Sequence, residues 1–392
     1  MKFEFKFRLE CDTKGTNGTA WGLLLCALAV AWLANRDFAA MKVPDTIIPA
    51  ANFEEHLLSE WFAPLAGMPL DTPVYVQNGK EPGGSVLVLG GTHPNEPAGY
   101  MTAVLLTERA RVRRGKLCVI PFANRPGFGH TQPQEASPET IHFTLPDGST
   151  RAFRYGSRDM MHTLDWPVPD IYIHRASGQR LSGNESRNLN RAYPGVPDGT
   201  PTERLAWAIM EFLRKEKIDL AFDLHEASPE YPVVDAIVAH EKSIELAAAT
   251  AMELKGRGIE IRLEPSPKNL RGLSHREWGD FSDTLPILME VANPSQGRLR
   301  GRTDEALALT GKDRAYAKAA GLGRLFVPWD ENGKPLDMRV ARHLTAIMTF
   351  LSMMEFFVDE NKVIEIDGLP AYQELVDQGI GKWLTVGNTE NH

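Results

Sequence analysis

Residues 85–96 read SVLVLGGTHPNE, and the fold follows from this stretch. A run of apolar, strand-forming residues ends at two glycines, which are followed closely by His93 and Glu96. Pro97 then opens a helical pattern, because proline in the first helical turn costs no hydrogen bond. Strand, polar turn and helix come in the order typical of α/β proteins, in which ligand sites gather at such strand ends.

The rest of the chain repeats this alternation of apolar runs and helical patterns. The predicted strands are 85–91, 116–123, 218–225, 233–240 and 284–292. The predicted helices are 97–112, 200–217, 241–258 and 339–357, the second of them starting at a capping box of Thr200 and Glu203. The alternation predicts one large α/β domain over residues 41–360, followed by a tail over 361–392 that has no strong signal.

Composition limits the functions open to the chain. Its 392 residues are 43% hydrophobic and 24% charged, which is ordinary for a globular protein and too apolar for general disorder. The net charge of -8 is spread without long single-sign blocks, so no nucleic-acid partner is expected. Three cysteines exclude a disulfide framework, and Cys118 is interpreted as a small buried hydrophobic residue.

The N-terminal 40 residues carry a targeting or anchoring signal. Residues 15–35 contain no charge, and their apolar stretch is long for a signal peptide and short for a membrane span. We therefore predict either a signal peptide or a membrane tether through residues 18–34. Basic residues are more numerous before this stretch than after it, which places the bulk of the chain on the periplasmic or extracytoplasmic side. If Met41 is the true start, the protein is instead cytoplasmic.

Three residues at the ends of apolar strands are candidate metal ligands. Imidazole and carboxylate both bind zinc, and a turn leaving a strand can aim His93 and Glu96 at one point. One such pair is expected by chance among 11 histidines, and its significance comes from its place after a glycine pair. His225 ends another apolar strand, where a lone histidine is otherwise a core or surface residue. Two histidines and one carboxylate are typical of catalytic zinc, so hydrolysis is the expected chemistry.

Further residues supply the remaining chemistry of a hydrolase. Glu290 stands within an apolar strand and is interpreted as the general base for a zinc-activated water, because burial of a carboxylate is costly unless it is used. The alternative is a carboxylate that turns outward or pairs with an arginine. Asn190 and Arg191 can hold a substrate carboxylate through parallel hydrogen bonds, although an isolated loop arginine more often faces solvent.

Together these motifs resemble the zinc carboxypeptidases, and within them the branch of succinylglutamate desuccinylase and aspartoacylase. The family's order is kept by GGTHPNE (90–96), LNRAYPG (189–195), DLH (223–225) and LMEVANP (288–294), and the resemblance covers residues 83–292. It implies an α/β fold with a mixed, mainly parallel central sheet flanked by helices. It also implies one Zn²⁺ per chain, bound by His93, Glu96 and His225, with Glu290 activating the water and Asn190 and Arg191 holding the substrate.

The chain departs from the family pattern at two points. Asn188 replaces the acidic residue that usually orients a ligand histidine, although an amide carbonyl can still accept the imidazole N–H. The family's extra arginine, which polarises the scissile carbonyl, has no clear counterpart; Arg187 is preferred over Arg180 as the substrate-binding candidate. His275, which precedes the strand of Glu290, either lines the pocket or lies on the surface.

The expected function is hydrolysis of an amide bond in a small molecule or short peptide that carries a free carboxylate. Two irregular stretches, 125–187 and 293–323, are too long for plain connections and indicate insertions that shape the site. A closed pocket favours an N-acyl amino acid as substrate, whereas an open groove favours a carboxypeptidase acting on peptides or cell-wall fragments. A membrane-tethered binding protein that has lost turnover is the alternative from a different class.

Overall fold

The computed structural model describes residues 17–131 and 137–387, and the chain divides into two units, residues 1–43 and 44–392. In the part of the chain so described, the second unit holds all of the β-strands and every helix except the first.

The described part of the first unit is a single helix, α1 (Asn17–Ala40). From Gly18 to Ala40 it is long and apolar enough to span a membrane, because about 20 apolar residues suffice for this. The predicted tether at 18–34 lies within it. Cys11 and the basic residues before position 15, on which the predicted orientation depends, lie outside the described residues.

The second unit alternates strands and helices along the chain. Its strands are β1 (Glu54–Leu57), β2 (Pro73–Asn78), β3 (Glu81–Leu89), β4 (Arg111–Ile120), β5 (Thr140–Thr144), β6 (Thr150–Arg154), β7 (Ile171–Ile173), β8 (Arg180–Ser182), β9 (Leu220–Ala227), β10 (Ala236–Ala239), β11 (Arg262–Pro265), β12 (Leu285–Ala292) and β13 (Glu365–Asp367). Its helices are α2 (Pro97–Arg109), α3 (Pro201–Lys215), α4 (Ile244–Gly256), α5 (Ser274–Phe281), α6 (Glu305–Thr310), α7 (Arg314–Gly321), α8 (Leu336–Phe357) and α9 (Tyr372–Gln378).

The main sheet has the strand order β1-β2-β4-β3-β9-β12-β10-β11, and β13 also pairs with β4. Its centre, β4-β3-β9-β12, is parallel, whereas β1, β2 and β13 on one side and β10 against β12 on the other pair antiparallel. The predicted mixed, mainly parallel central sheet flanked by helices is therefore confirmed. Strands buried on both faces explain the near-continuous apolar runs from which it was predicted.

Two glycines let α2 lie directly against the strand ends. A side chain at Gly99 would collide with the Leu224 carbonyl oxygen of β9. A Cβ atom at Gly90 would lie 2.8 Å from the Gly99 carbonyl oxygen. Because these positions carry no side chain, the first turn of α2, and Glu96 just before it, can approach β9.

The predicted helix signals agree with the structure. The Thr200 hydroxyl accepts the Glu203 N–H at 3.4 Å, and the Glu203 carboxylate accepts the Thr200 N–H at 2.9 Å, which completes the predicted capping box of α3. The apolar stripe of α8 is buried in the core, including Val340, Ile347 and Phe350.

Residues of the predicted tail take part in the same core. β13 adds a strand beside β4, and α9 packs on α8. Leu375, Ile380 and Leu384 are buried among the residues of this core. As far as residue 387, the segment after position 361 is thus integrated with the sheet.

We expect Gly99→Ala to lower the free energy of unfolding by about 1–3 kcal/mol, because the added methyl group forces α2 away from β9. Gly256→Ala is the matched control, since it is also helical and has no atom within 4 Å of an added Cβ. This control should be neutral or stabilising by up to about 1 kcal/mol. Urea denaturation measures both variants, and equal effects would contradict the close approach of α2 to β9.

Candidate functional site

The sequence motifs meet at the carboxyl ends of the parallel strands β3, β9 and β12. His93 lies in the turn after β3, and His225 lies near the end of β9. Glu290 of β12 is directly opposite His225 in the strand register. Gly91 has a φ of +66°, and a Cβ there would lie 2.9 Å from the Phe128 ring, so glycine is required for the turn that carries His93.

His93, Glu96 and His225 converge on one point. The His93 Nδ1 atom lies 2.8 Å from Glu96 Oε1, and the His225 Nδ1 atom lies 3.0 Å from Glu96 Oε2. The two Nδ1 atoms are 3.1 Å apart, and all three side chains are buried. Spacings of about 3 Å between donors suit an ion with bonds of about 2.0–2.2 Å to each. The donor set therefore fits a divalent metal of the size of zinc.

An oxygen atom lies close to the outer nitrogen of each histidine. His93 Nε2 lies 2.9 Å from Asn188 Oδ1, and His225 Nε2 lies 2.9 Å from Asp223 Oδ2. Asp223 is itself fixed, because it accepts the hydroxyl groups of Thr92 at 2.7 Å and Ser274 at 2.5 Å. With the proton of each neutral ring on its outer nitrogen, next to these oxygen atoms, the Nδ1 lone pairs face each other and Glu96, as metal ligation requires.

The two buried carboxylates of this site, Asp223 and Glu96, favour the binding of a cation. Although burial opposes it, the carboxylates of Asp223 and Glu96 raise the pKa of His225 well above its ordinary value, so a proton resides there when no metal does. Burial lowers the pKa of His93, which keeps that ring in its neutral, ligating form. A divalent ion would take the place of the proton on His225 and balance the two buried carboxylates.

Asn188 stands where the resembled family carries an acid, and its neighbours show why an amide fits here. Its Oδ1 atom accepts from His93, while its Nδ2 atom donates to Glu185 Oε2 at 2.7 Å. A carboxylate at position 188 would face the Glu185 carboxylate with no proton between them. The negative charge behind His93 is thus the Glu185 carboxylate, which is separated from the imidazole by the Asn188 amide. Arg191 Nε also lies 3.7 Å from Glu185.

Glu290 has the properties of a proton carrier. Its carboxylate lines the cavity, and its Oε2 atom has no hydrogen-bond partner among the described residues. Burial raises the pKa of Glu290 to about 8, and Glu96 adds to this effect while His225 and Arg158 oppose it. A carboxyl group with a pKa near neutrality can both accept and return a proton.

A cavity of about 540 Å³ opens in front of these groups. It is lined by the predicted site residues His93, Glu96, Asn190, Arg191, His225 and Glu290. His275, left open by the sequence, also lines it and is buried, with its Nδ1 atom 2.8 Å from the Ser266 hydroxyl oxygen. The Asn190 Oδ1 atom accepts the Ser274 N–H at 2.8 Å, which leaves the amide N–H₂ of Asn190 as its remaining donor group.

The structure does not bring Arg187 into this cavity. Its buried guanidinium donates to the Met160 carbonyl at 3.0 Å, contacts His162 Nδ1 at 2.8 Å and lies 3.5 Å from Asp159. Arg180, the other arginine considered, lies on β8 outside the cavity lining.

Arg158 lines the cavity instead, with Nη1 3.3 Å from Glu96 Oε1 and from His93 Nδ1. Sequence reasoning missed it because it lies in the insertion 125–187, which has no periodicity to mark it. The sequence pointed to Arg158 only indirectly, through the prediction that this insertion shapes the site.

No family model and no curated protein matches the chain. Similar solved structures include apo cell shape determinant protein Csd4 from Helicobacter pylori, at 13% identity and a TM-score of 0.45, covering 79% of this chain and 59% of that one. A succinylglutamate desuccinylase from Silicibacter sp. TM1040 has 19% identity and a TM-score of 0.38, covering 67% of this chain and 64% of that one.

A third similar structure is the product-bound ectoine utilization protein EutE (DoeB) from Ruegeria pomeroyi, at 21% identity and a TM-score of 0.36, covering 58% of this chain and 55% of that one. Structural neighbours of the chain thus include proteins of the succinylglutamate desuccinylase and aspartoacylase family that its motifs resemble. The chain spans 59% of the length of Csd4.

We expect Asn188→Asp to lower the free energy of unfolding of the metal-free protein by about 1–3 kcal/mol at pH 7, because two carboxylates then meet without a donor. The double variant Asn188→Asp, Glu185→Gln should recover much of this loss, since a glutamine amide can donate to the new carboxylate. Urea denaturation of the single and double variants measures the coupling. Additive effects would show that the two side chains act independently.

Proposed function

We propose that the protein is a zinc-dependent hydrolase of an amide bond in a carboxylate-bearing substrate, such as an N-acyl amino acid. The observation that carries this proposal is the convergence of three buried ligands, His93, Glu96 and His225, beside the partly buried carboxylate of Glu290 in one cavity. Two histidines and one carboxylate are the ligand set of catalytic zinc sites that hydrolyse amides. His93 and His225 would hold zinc through Nδ1, and Glu96 through its carboxylate. When bound there, zinc supplies Lewis acidity, which polarises a carbonyl group and lowers the pKa of water.

Glu290 would move the proton in this reaction. Because its pKa lies near neutrality and no partner occupies its Oε2 atom among the described residues, it can take a proton from the attacking water. It then delivers the proton to the leaving nitrogen, which would otherwise depart as an unstable amide anion. A bound cation would lower the pKa of Glu290 and favour the basic form at the start of the cycle.

Substrate binding is assigned to side chains that line the same cavity. Arg191 and the amide N–H₂ of Asn190 would hold the substrate carboxylate, with Asn190 oriented by its bond from Ser274. Arg158, next to Glu96, would donate to the carbonyl oxygen as negative charge develops on it. Arg158 thus takes the role for which the sequence had suggested Arg187.

The size of the cavity favours a small substrate over a peptide. At about 540 Å³ it lies within the range of pockets for single small molecules, and an N-acyl amino acid fits within such a volume. The carboxypeptidase alternative requires an extension of this cavity that accepts further residues of a peptide. The inert binding protein is the weaker alternative, because the carboxylate needed for proton transfer is in place.

For location, we propose that α1 acts as a signal or membrane anchor and that the hydrolase domain, predicted over residues 41–360 and extended by the segment up to residue 387 that shares its core, lies outside the cytoplasm. The length and apolar character of Gly18–Ala40 support this. A cytoplasmic enzyme that starts at Met41 remains the alternative, and the N-terminus of the mature protein, read by mass spectrometry, separates the two.

Metal analysis of the purified protein should find about one zinc per chain, because the site offers one set of three ligands. His225→Ala should lose most of this zinc, whereas His142→Ala should retain it, since His142 is an exposed residue of β5. Equilibrium dialysis followed by elemental analysis measures both. Zinc retained in His225→Ala would remove this residue from the metal site.

A screen of N-acyl amino acids and short peptides, with zinc present, tests the reaction itself. We expect N-acyl amino acids to be hydrolysed and Glu290→Gln to reduce kcat by about 10²–10⁴-fold while zinc stays bound, because only proton transfer is lost. Release of C-terminal residues from peptides would instead support a carboxypeptidase. Binding without turnover across the screen would support the inert binding protein, and full activity of Glu290→Gln would place the base elsewhere.

A further inference from the structure

One half of the cavity is apolar, and the strand register shows where it begins. Glu290 of β12 pairs with His225 on one side and with Ala236 of β10 on the other. Two residues earlier on the same face of β12, Leu288 pairs with Val238 of β10, and Val238 in turn pairs with Glu264 of β11. The floor of the cavity therefore runs from Glu290 across two apolar side chains to Glu264, in the direction away from His93.

The walls of this half, which we call the aliphatic subsite, are also apolar. Leu288, Val238 and Leu273 are buried, and Leu270, Pro265 and Pro267 complete the lining. No lysine or arginine from β10, β11, β12 or the segment 265–273, all of which the structure describes, lines the cavity. His275 of α5 also lines it, but burial lowers the pKa of this ring to about 3, so it carries no positive charge near neutral pH. Among these lining residues, the charge at the far end is the negative carboxylate of Glu264.

The position of Glu290 decides which half of the substrate enters this subsite. In the proposed reaction Glu290 donates a proton to the leaving nitrogen. The half of the substrate that contains this nitrogen must therefore lie beside Glu290 rather than beside His93. Arg191 and Asn190 hold the carboxylate of that leaving half. Its side chain is then directed along the floor formed by Leu288 and Val238.

We infer that the amino acid released by this enzyme has an uncharged aliphatic side chain, and that acidic amino acids are excluded by the apolar walls and by the Glu264 carboxylate. The inference rests on the proposed function and adds the substrate class to it. A carboxylate placed in this subsite would lose its hydration without meeting a cation, and it would face a like charge at the far end.

N-acetyl-L-leucine and N-acetyl-L-aspartate test this directly, because their side chains have the same branched shape and differ in charge and polarity. With the full chain and zinc, kcat/KM for the leucine derivative should exceed that for the aspartate derivative by about tenfold or more. A preference for the aspartate derivative would overturn the inference while leaving the proposed hydrolysis intact.

Glu264→Gln separates the contribution of charge. It should raise kcat/KM for the aspartate derivative by about threefold or more relative to the leucine derivative, since the repulsion acts on the charged side chain. Glu245→Gln, an exposed residue of α4 outside the cavity lining, is the matched control and should change neither value. An unchanged ratio in Glu264→Gln would show that Glu264 takes no part in the selection.

Direct binding keeps the two proposals distinguishable. If neither derivative is hydrolysed and the wider screen of N-acyl amino acids also shows no turnover, the proposed function fails, and titration calorimetry of free leucine and free aspartate with the full chain then decides about the subsite alone. Tighter binding of leucine supports an aliphatic subsite. Equal or tighter binding of aspartate overturns the inference of an aliphatic subsite, whether or not the protein hydrolyses an amide bond.

Discussion

The site depends on one constraint, which is that two buried imidazole rings must turn their Nδ1 atoms toward the same carboxylate. Asn188 favours this arrangement by accepting a hydrogen bond from the outer nitrogen of His93, and the Asp223 carboxylate favours it by lying 2.9 Å from the outer nitrogen of His225. Without these two oxygen neighbours each ring could rotate and present either nitrogen, and the lone pairs would no longer converge on Glu96. The sheet, the glycine turn after β3 and the close approach of α2 all serve to bring these groups within reach.

Several connections tie this constraint to the substrate side of the cavity. Ser274, the first residue of α5, donates its hydroxyl to Asp223 and its backbone N–H to Asn190. Behind His225, Glu226 donates its own N–H to Glu96 and accepts the N–H of Ala98 at 3.0 Å. Its other oxygen pairs with Arg339 of α8 in the interior, where neither charge reaches solvent. The proposed metal ligands, the proposed substrate donors and the core helices are thus joined through buried hydrogen bonds.

The sequence was most informative where polarity changed abruptly. His93, Glu96, His225 and Glu290 each interrupt or end an apolar strand, so local contrast alone marked them, and the same runs predicted the parallel centre of the sheet. Strands β1, β2, β11 and β13 were not predicted, because they are short or partly exposed and lack such contrast. Arg187 was the preferred candidate for the family's extra arginine, yet its guanidinium donates to the Met160 carbonyl, whereas Arg158 comes from an insertion without periodicity. The local sequence does not show when a distant segment brings such a side chain into the site.

The pairing of Glu226 with Arg339 has a consequence for how the chain can be divided. All the recognised motifs end by residue 294, and a fragment cut there would contain every proposed ligand and proton carrier. It would also lack the guanidinium that neutralises Glu226, leaving a buried anion next to the ligand shell. A fragment that keeps this pair must therefore extend at least to Arg339 in α8, well beyond the last motif that a pattern search would mark.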